Sequence, residues 1–364
     1  MIGALKRRWD AFRGSGEAAV TIPSMDGALR PNRLIEEAEL VAAVEAPDDL
    51  AHDGSSPLVS TGRRICRITP AGLETLAEFG SAVTALAAAP SGRIAAALAE
   101  GLIVVLDPDG TRRTVARLGD GPATCVTALC IAGDDTLFVA QGSVRRAAAD
   151  WKRDLMERRS DGAVWRTMPD GSGQERIAAA LAWPLGIAAG TGDRLIVSES
   201  WRHRLVALSG GRAPEPVLAD LPGYPARIHP DPAGGWWLAL FSPRNQIIEF
   251  IQREPAFLGR MMEEVDEAYW AAPSLKPSAT FLEPLQGGAQ KHLGMLKPWA
   301  PTRSYGLVVH LDGRLRPTRS FHSRADGTRH GIMTVLPVGD AVFAAAKGGD
   351  AVVALDRGDA ARRA

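Results

Sequence analysis

The sequence predicts an all-β fold, a six-bladed β-propeller with helical insertions in blades three and five. Three observations lead there. A pair of short apolar strands around a Gly/Asp/Pro turn recurs six times, at residues 50–61, 86–98, 129–141, 187–199, 228–240 and 333–345. A third apolar segment follows each pair and closes on another turn, as in LIVVLDPDG from Leu102 and GLVVHLDG from Gly306. The spacing is roughly 40 residues, which is the length of a multi-stranded blade. A unit this small cannot bury both faces of its own sheet, so the units must stack around an axis.

Residues 1–16, MIGALKRRWDAFRGSG, place Ile2, Leu5, Trp9 and Phe12 at helical spacing among Lys6, Arg7, Arg8 and Arg13. They are read as an amphipathic helix or tail that either docks on its own domain or lies on an anionic membrane surface. Membrane contact is expected only through this segment. It has no apolar run long enough for a signal core or a span, so a cytoplasmic protein is expected. Residues 17–358 are read as one propeller domain and 359–364 as a tail. The apolar run LVAAV at 40–44 is expected to complete the last blade and so remove a free sheet edge. The blades then occupy 46–80, 81–121, 122–180, 181–221, 222–325 and 326–358.

Two insertions interrupt the repeat between the second and third strands. In blade three, residues 145–159 are helix-forming, with Ala147, Trp151 and Leu155 on one stripe. In blade five, the insertion runs from about 243 to 304. Its first part places Phe257, Met261 and Val265 on one helical face, with Met262 and Tyr269 nearby; its last part, through 297–301, is broken by prolines. Both leave from the same point of the blade and therefore emerge on one face of the disc. They are expected either to cover the axial channel as lids or to pack over exposed blade edges.

Composition narrows the function classes. Lysine plus arginine equals aspartate plus glutamate at 42 each, so no bulk field favours nucleic acid. The three cysteines, Cys66, Cys125 and Cys130, have no zinc-ligand spacing, and so sparse a set suggests a reducing compartment. The sequence contains no HExxH, GxSxG, Walker A or strand-following Rossmann motif.

Chemistry must then come from convergence at the axis, where the starts of the innermost strands meet. Counting back along the repeats gives Asp48 and Asp49, Thr84, Thr127, Leu185, Ala226 with Arg227, and His330. The second strands end in Thr61, Gln141, Glu199 and Lys347, which can reach the same mouth. Glu199 or Asp48 is the candidate general base, His330 the proton donor, and Arg227 or Lys347 the partner of a developing anion. Asp49, Thr84, Thr127, Gln141, Leu185 and Tyr224 are candidate substrate-binding residues. Each also has a plain structural role open to it: a strand-end aspartate as a turn residue, or Glu199 as an ion pair with Arg202 and Arg204.

The segments 181–200 (LAWPLGIAAGTGDRLIVSES), 221–245 (LPGYPARIHPDPAGGWWLALFSPRN) and 297–315, followed by HGIMTV at 330–335, resemble strictosidine synthase-like proteins. These are six-bladed propellers related to the calcium-dependent gluconolactonases, to regucalcin and to the paraoxonases. The resemblance spans roughly 45–356 and implies a small-molecule substrate bound in the axial channel beneath helical lids. In the metal-dependent relatives a Glu, Asn and Asp set at the inner-strand starts holds calcium; the matching positions here read Asp48, Thr127, Leu185 and Ala226. Calcium takes six to eight oxygen ligands, so neither metal nor cofactor is expected. The glutamate that serves amine–aldehyde condensation in the plant enzymes falls near Pro337. The expectation is a metal-independent enzyme, of ester or lactone hydrolase type or an amine–aldehyde condensing one. The alternative is a non-catalytic binding or scaffold propeller.

Overall fold

Six four-stranded antiparallel sheets correspond to the six repeats in the computed structural model, which describes residues 22–280, 282–284 and 302–357. The innermost strands are Pro47–His52, Val83–Ala88, Val126–Ile131, Pro184–Ala189, Gly223–Pro230 and Ile332–Val338. Each packs against the innermost strand of the next blade, and the sixth packs against the first, so the ring is closed. Glu39–Ala43 supplies the outermost strand of blade six by pairing with Ala351–Asp356. This ties the N-terminal part of the described chain to its C-terminal end and leaves no unpaired terminal strand between the last blade and the first.

The sheets adhere because small apolar residues let their faces approach. All five residues of Ile94–Leu98 (IAAAL) are buried, and Ala85, Ala95 and Ala97 of blade two pack with Val126, Leu129 and Val139 of blade three. Each such Val, Leu or Ile contributes roughly 1.5–3 kcal/mol on burial. Hydroxyl clips add direction between blades. Thr84 donates to the Val126 carbonyl at 2.7 Å, Thr127 to that of Pro184, and Ser198 to that of Ala226 at 2.6 Å.

Every innermost strand is irregular near its start. The pairing register shifts between Pro47 and Leu50, Val83 and Ala85, Val126 and Ala128, Pro184 and Gly186, Pro225 and Ile228, and Ile332 and Thr334. A bulge of this kind leaves its extra residue unpaired and re-aims the side chain. In four blades the residue just before the strand is also left-handed: Ala46, Cys125, Trp183 and Gly331, with φ of 43°, 52°, 55° and 66°. Only one of the four is glycine, so the other three hold a conformation costly for an L residue because the packing around them demands it.

The insertions form where expected. In blade three, a 3-10 turn at Ala148–Asp150 leads into α1 (Trp151–Met156). In blade five, α2 (Gln246–Ile251) is capped by Asn245, whose side chain accepts from the Ile247 amide at 2.9 Å. α3 (Pro255–Glu264) follows, with proline in its first turn. The buried face of α3 differs from the expected one: Leu258 and Met261 are buried, whereas Phe257 and Val265 are 45% and 41% exposed. The helix ends at Glu264 and Val265 is already extended, so the expected three-turn stripe is cut short. Tyr269 belongs to a separate 3-10 turn and is exposed.

The two insertions touch. Arg153 of α1 stacks on Trp270 at 5.2 Å and donates to the Met262 carbonyl, and Lys152 lies 3.7 Å from Glu267. Glycines let the blade-five insertion settle on blade six, since a Cβ on Gly348 would overlap the Leu275 carbonyl. No helix among the described residues is long and apolar enough to cross a membrane. The expectations for 1–16, for 297–301 and for the tail 359–364 lie outside the described residues.

Candidate functional site

The six bulges converge on one cavity. Asp48, Thr84, Thr127, Leu185, Arg227 and Met333, one unpaired residue from each blade, line its floor. Five of these are the residues obtained by counting back along the repeats. In blade six the count gave His330, but the bulge residue is Met333. The repeat there begins on the bulge itself, one bulged pair earlier than in the other blades, so the count overshot by three positions.

Arg227 is the knot of this floor. Its guanidinium is buried and reaches the innermost strands of three other blades. It donates to the Asp48 carbonyl at 2.8 Å and to Asp48 Oδ2 at 3.0 Å, and to the carbonyls of Thr84 and Thr127 at 2.8 and 3.1 Å. Its Nε lies 2.8 Å from Asp49 Oδ2. Asp49 sits beneath, fully buried, and its carboxylate also accepts from the Leu50 and Leu86 amides at 2.9 Å. Asp49 therefore belongs to the support of the floor and does not line the cavity.

The two neighbouring carboxyls titrate in opposite directions. Burial pushes Asp49 up to about 6, against the pull of Arg227. Burial also acts upward on Asp48, but Lys347 and Arg227 together outweigh it and hold that carboxyl below its ordinary value. Asp48 Oδ1 bonds Lys347 Nζ; the second strand of blade six ends at Ala346, one residue before the expected place, and Lys347 opens the short 3-10 turn that follows it. Lys347 is 32% exposed, so among the floor cations its ammonium is the one open to the cavity.

Above this polar floor the walls are apolar. Trp183 stacks on Trp201 with ring centres 5.3 Å apart; Trp151 of α1 meets Phe241 edge-on at 5.6 Å. Leu275 and the stretch 147–149 from the two insertions complete the rim. The insertions therefore do cover the mouth of the channel. The cavity holds about 310 Å³, the volume of a small organic molecule. The Trp201 indole also donates to Asp154 of α1 at 2.8 Å, so the lid helix is pinned to blade four through a cavity-wall residue.

Other expected site residues lie elsewhere. Glu199 is fully buried outside the cavity lining, where it accepts from Arg202 and Arg204 at 2.5 Å and from the Ala182 amide at 2.8 Å. Its oxygens are occupied on every side, which leaves no base to offer. His330 is fully buried, with Nδ1 2.9 Å from Ser304 Oγ and Nε2 2.8 Å from the Arg324 carbonyl. Burial lowers its pKa, so it stays neutral and cannot donate a proton into a cavity it does not line. Gln141 is spent on the Thr124 carbonyl and the Trp165 indole. Tyr224 packs behind Phe241 and His203, 5.4 and 4.6 Å away between ring centres. Thr61 bonds the Glu45 carbonyl and Ala226 is buried beside Arg227; neither lines the cavity.

Trp183, Trp201, Phe241 and Met333 were missed from sequence. The signal for Met333 was the repeat register, and that for Trp183 the Trp-Pro pair at the strand start.

Among the described residues no group of three or more His, Cys, Asp or Glu side chains could hold a metal ion. The oxygens that do converge at the axis, from Asp48, Asp49, Thr84 and Thr127, already surround the Arg227 guanidinium. A divalent cation would have to displace a buried, ion-paired arginine. These residues do not fit the calcium that the metal-dependent relatives of the resembling family hold.

Fold and floor together define a six-bladed β-propeller with a lidded axial cavity. No protein-family model matches the sequence, and no curated protein matches it either. Solved propellers do. A gluconolactonase from Xanthomonas campestris is 14% identical with a TM-score of 0.55, over 92% of this chain and 96% of that one. A putative gluconolactonase is 13% identical with a TM-score of 0.52, over 92% and 93%. The PQQ-bound aldose sugar dehydrogenase of Streptomyces coelicolor is 16% identical with a TM-score of 0.51, over 87% and 96%. At such identities the likeness is one of fold.

Proposed function

We propose that the axial cavity binds a small, mostly apolar molecule bearing an ester or lactone carbonyl and hydrolyses it without a metal ion. The single observation behind this reading is the Asp48–Lys347 pair, reachable at the floor of an otherwise largely apolar cavity. The gluconolactonase-like neighbours support the same substrate class by analogy of fold alone.

The chemistry divides between the two charges. The Lys347 ammonium donates to the carbonyl oxygen and stabilises the oxyanion that forms there. Asp48 orients a water and takes its proton as the water oxygen attacks the carbonyl carbon. The tetrahedral adduct collapses, the acyl C–O bond breaks, and the leaving alkoxide recovers the proton from Asp48. A lactone would give its hydroxy acid. Arg227 keeps Asp48 ionised and aimed, while its own donors remain on the carbonyls of the floor. Condensation of an amine with an aldehyde lacks support: Pro337 lies next to the end of its strand outside the lining, and the described residues of blade six contribute no carboxylate to the cavity.

A binding role without turnover is the second reading. It is favoured by the two cations on Asp48, which make that carboxylate a weak base. One experiment separates the readings: purified wild type, Asp48→Asn and Lys347→Met are assayed against aryl esters and five- and six-membered lactones. Hydrolysis that falls about 100-fold or more in both variants supports catalysis by the pair. A ligand that raises thermal stability and is recovered unchanged supports binding alone. Wild-type turnover retained in both variants would sink the catalytic assignment.

A further inference from the structure

The apolar surface left open to solvent is unevenly spread. Eleven large apolar side chains are exposed among the described residues, and six of them, Ile247, Phe250, Phe257, Val265, Tyr269 and Leu282, belong to the blade-five insertion. Single exposed apolar residues are ordinary, whereas six on one excursion mark a contact surface. On α2, Ile247 and Phe250 stand three positions apart on one face, opposite the buried Ile248 and Glu249. The same insertion is acidic. Residues 254–269 carry Glu254, Glu263, Glu264, Asp266 and Glu267 against one cation, Arg260. Glu254, Glu263 and Glu264 are exposed and make no ion pair among the described residues.

A segment of complementary character leads to this surface. Residues 1–16 put Ile2, Leu5, Trp9 and Phe12 at helical spacing, with Lys6, Arg7, Arg8 and Arg13 outweighing Asp10. A helix that short is marginal in water unless its apolar face packs on something. The described chain shows where the segment arrives. Met25 is buried between blades four and five with Leu221, Leu240 and Tyr305. Ile22 and Pro23 then stand in a cleft whose wall includes Glu249, Gln252 and Arg253. Followed toward the N-terminus, the chain therefore heads for the root of α2. Residues 17–21 can extend about 17 Å further, and α2 itself is only about 9 Å long. The acids that attract this basic segment would repel an anionic membrane brought to the same face, so charge favours the lid over lipid.

We propose that residues 1–16 dock on the exposed face of the blade-five insertion, with their apolar residues covering Ile247, Phe250 and Phe257 and their basic residues facing Glu254, Glu263 and Glu264. A segment so placed braces the lid from outside. The same insertion holds α1 through Met262 and Trp270, and its Leu275 rims the axial cavity. The docking stands whether or not the cavity hydrolyses its ligand.

The test is hydrogen–deuterium exchange of the full-length protein, read on the amides of residues 246–264. The variants are Trp9→Glu, the double reversal Arg7→Glu with Arg8→Glu, the double reversal Glu263→Arg with Glu264→Arg, and the two reversals combined. Expected is exchange at least tenfold faster in Trp9→Glu and in each double reversal, with a return toward the wild-type rate when the reversals are combined. Exchange that ignores Trp9→Glu, or reversals whose effects add instead of cancelling, would overturn the proposal. So would protection lost on dilution, which assigns the face to a second copy, or protection gained only with phosphatidylglycerol vesicles, which assigns the segment to lipid. The substituted residues of the insertion are exposed, so these variants spare the packed core.

Discussion

Asp48 and Glu199 are both carboxylates pinned by two cations, yet they stand on opposite sides of the cavity wall. Asp48 ends a bulge on the first strand of blade one, held by Arg227 below and Lys347 at its side, and one face of that pair opens to an apolar cavity. Glu199 ends the second strand of blade four, held by Arg202 and Arg204, and faces only protein. The same ion-pair chemistry thus yields a reactive floor in one place and a structural clamp in the other. What separates them is the bulge, which turns a side chain to the axis.

The largest expected effect that sharpens this contrast comes from Arg227→Ala. It leaves Asp48 and Asp49 buried without their shared cation, and should cost about 3–5 kcal/mol of stability in denaturant titration. Methylguanidinium should restore part of the loss by refilling the oxygen cage; a variant as stable as wild type would remove Arg227 from the centre of the account. Glu199→Gln should cost about 1–3 kcal/mol, because it weakens a buried, fully bonded acceptor. Its rate on any substrate turned over by wild type should be unaltered. Were Glu199→Gln inactive but fully folded, the contrast between the two knots would collapse.

Acid behaviour offers a third test. Burial, with Arg227 adding to it, depresses His229 to about 4 and so keeps its ring neutral in the fold. The unfolded chain binds that proton below about 6.5, so this residue makes stability fall as pH drops from about 6.5 to about 4. His322, depressed to about 3, acts in the same direction. Asp49 acts oppositely: raised to about 6, it protonates in the fold before it does in the unfolded chain, and adds stability as pH drops below 6. The denaturation midpoint of wild type should therefore fall from pH 6.5 to 4, and fall more steeply in Asp49→Asn. A shallower fall in that variant would contradict the direction assigned to Asp49. The smallest effect is expected from Thr84→Val, about 1 kcal/mol, through loss of the hydroxyl clip to blade three.

The two ends of the repeat differed in how much the sequence revealed. Offsets counted from the apolar pattern found Asp48, Thr84, Thr127, Leu185 and Arg227, because a bulge at a fixed place in each repeat puts equivalent residues at equivalent offsets. The same count failed at His330, where the repeat began on the bulge. At the ends of the second strands no such device operates. Gln141 and Glu199 end their strands opposite the first residue of the innermost strand and do not line the cavity; Lys347 stands one position further on, past Ala346, and does. The aromatic walls were less legible still. Trp151, Trp183, Trp201 and Phe241 come from an insertion, a pre-strand residue, a short turn and a strand end, and nothing in their spacing joins them.

The sequence by itself determined the six sheets, their order, the closing strand and the position of both insertions, because alternation and turn residues act over a few neighbours and each blade repeats them. Only the tertiary structure decided which charges meet. Arg227 finds Asp48 across 179 positions and Lys347 finds it across 299. Contacts of that separation depend on how six sheets close into a ring, a property of the whole circuit that no local pattern encodes.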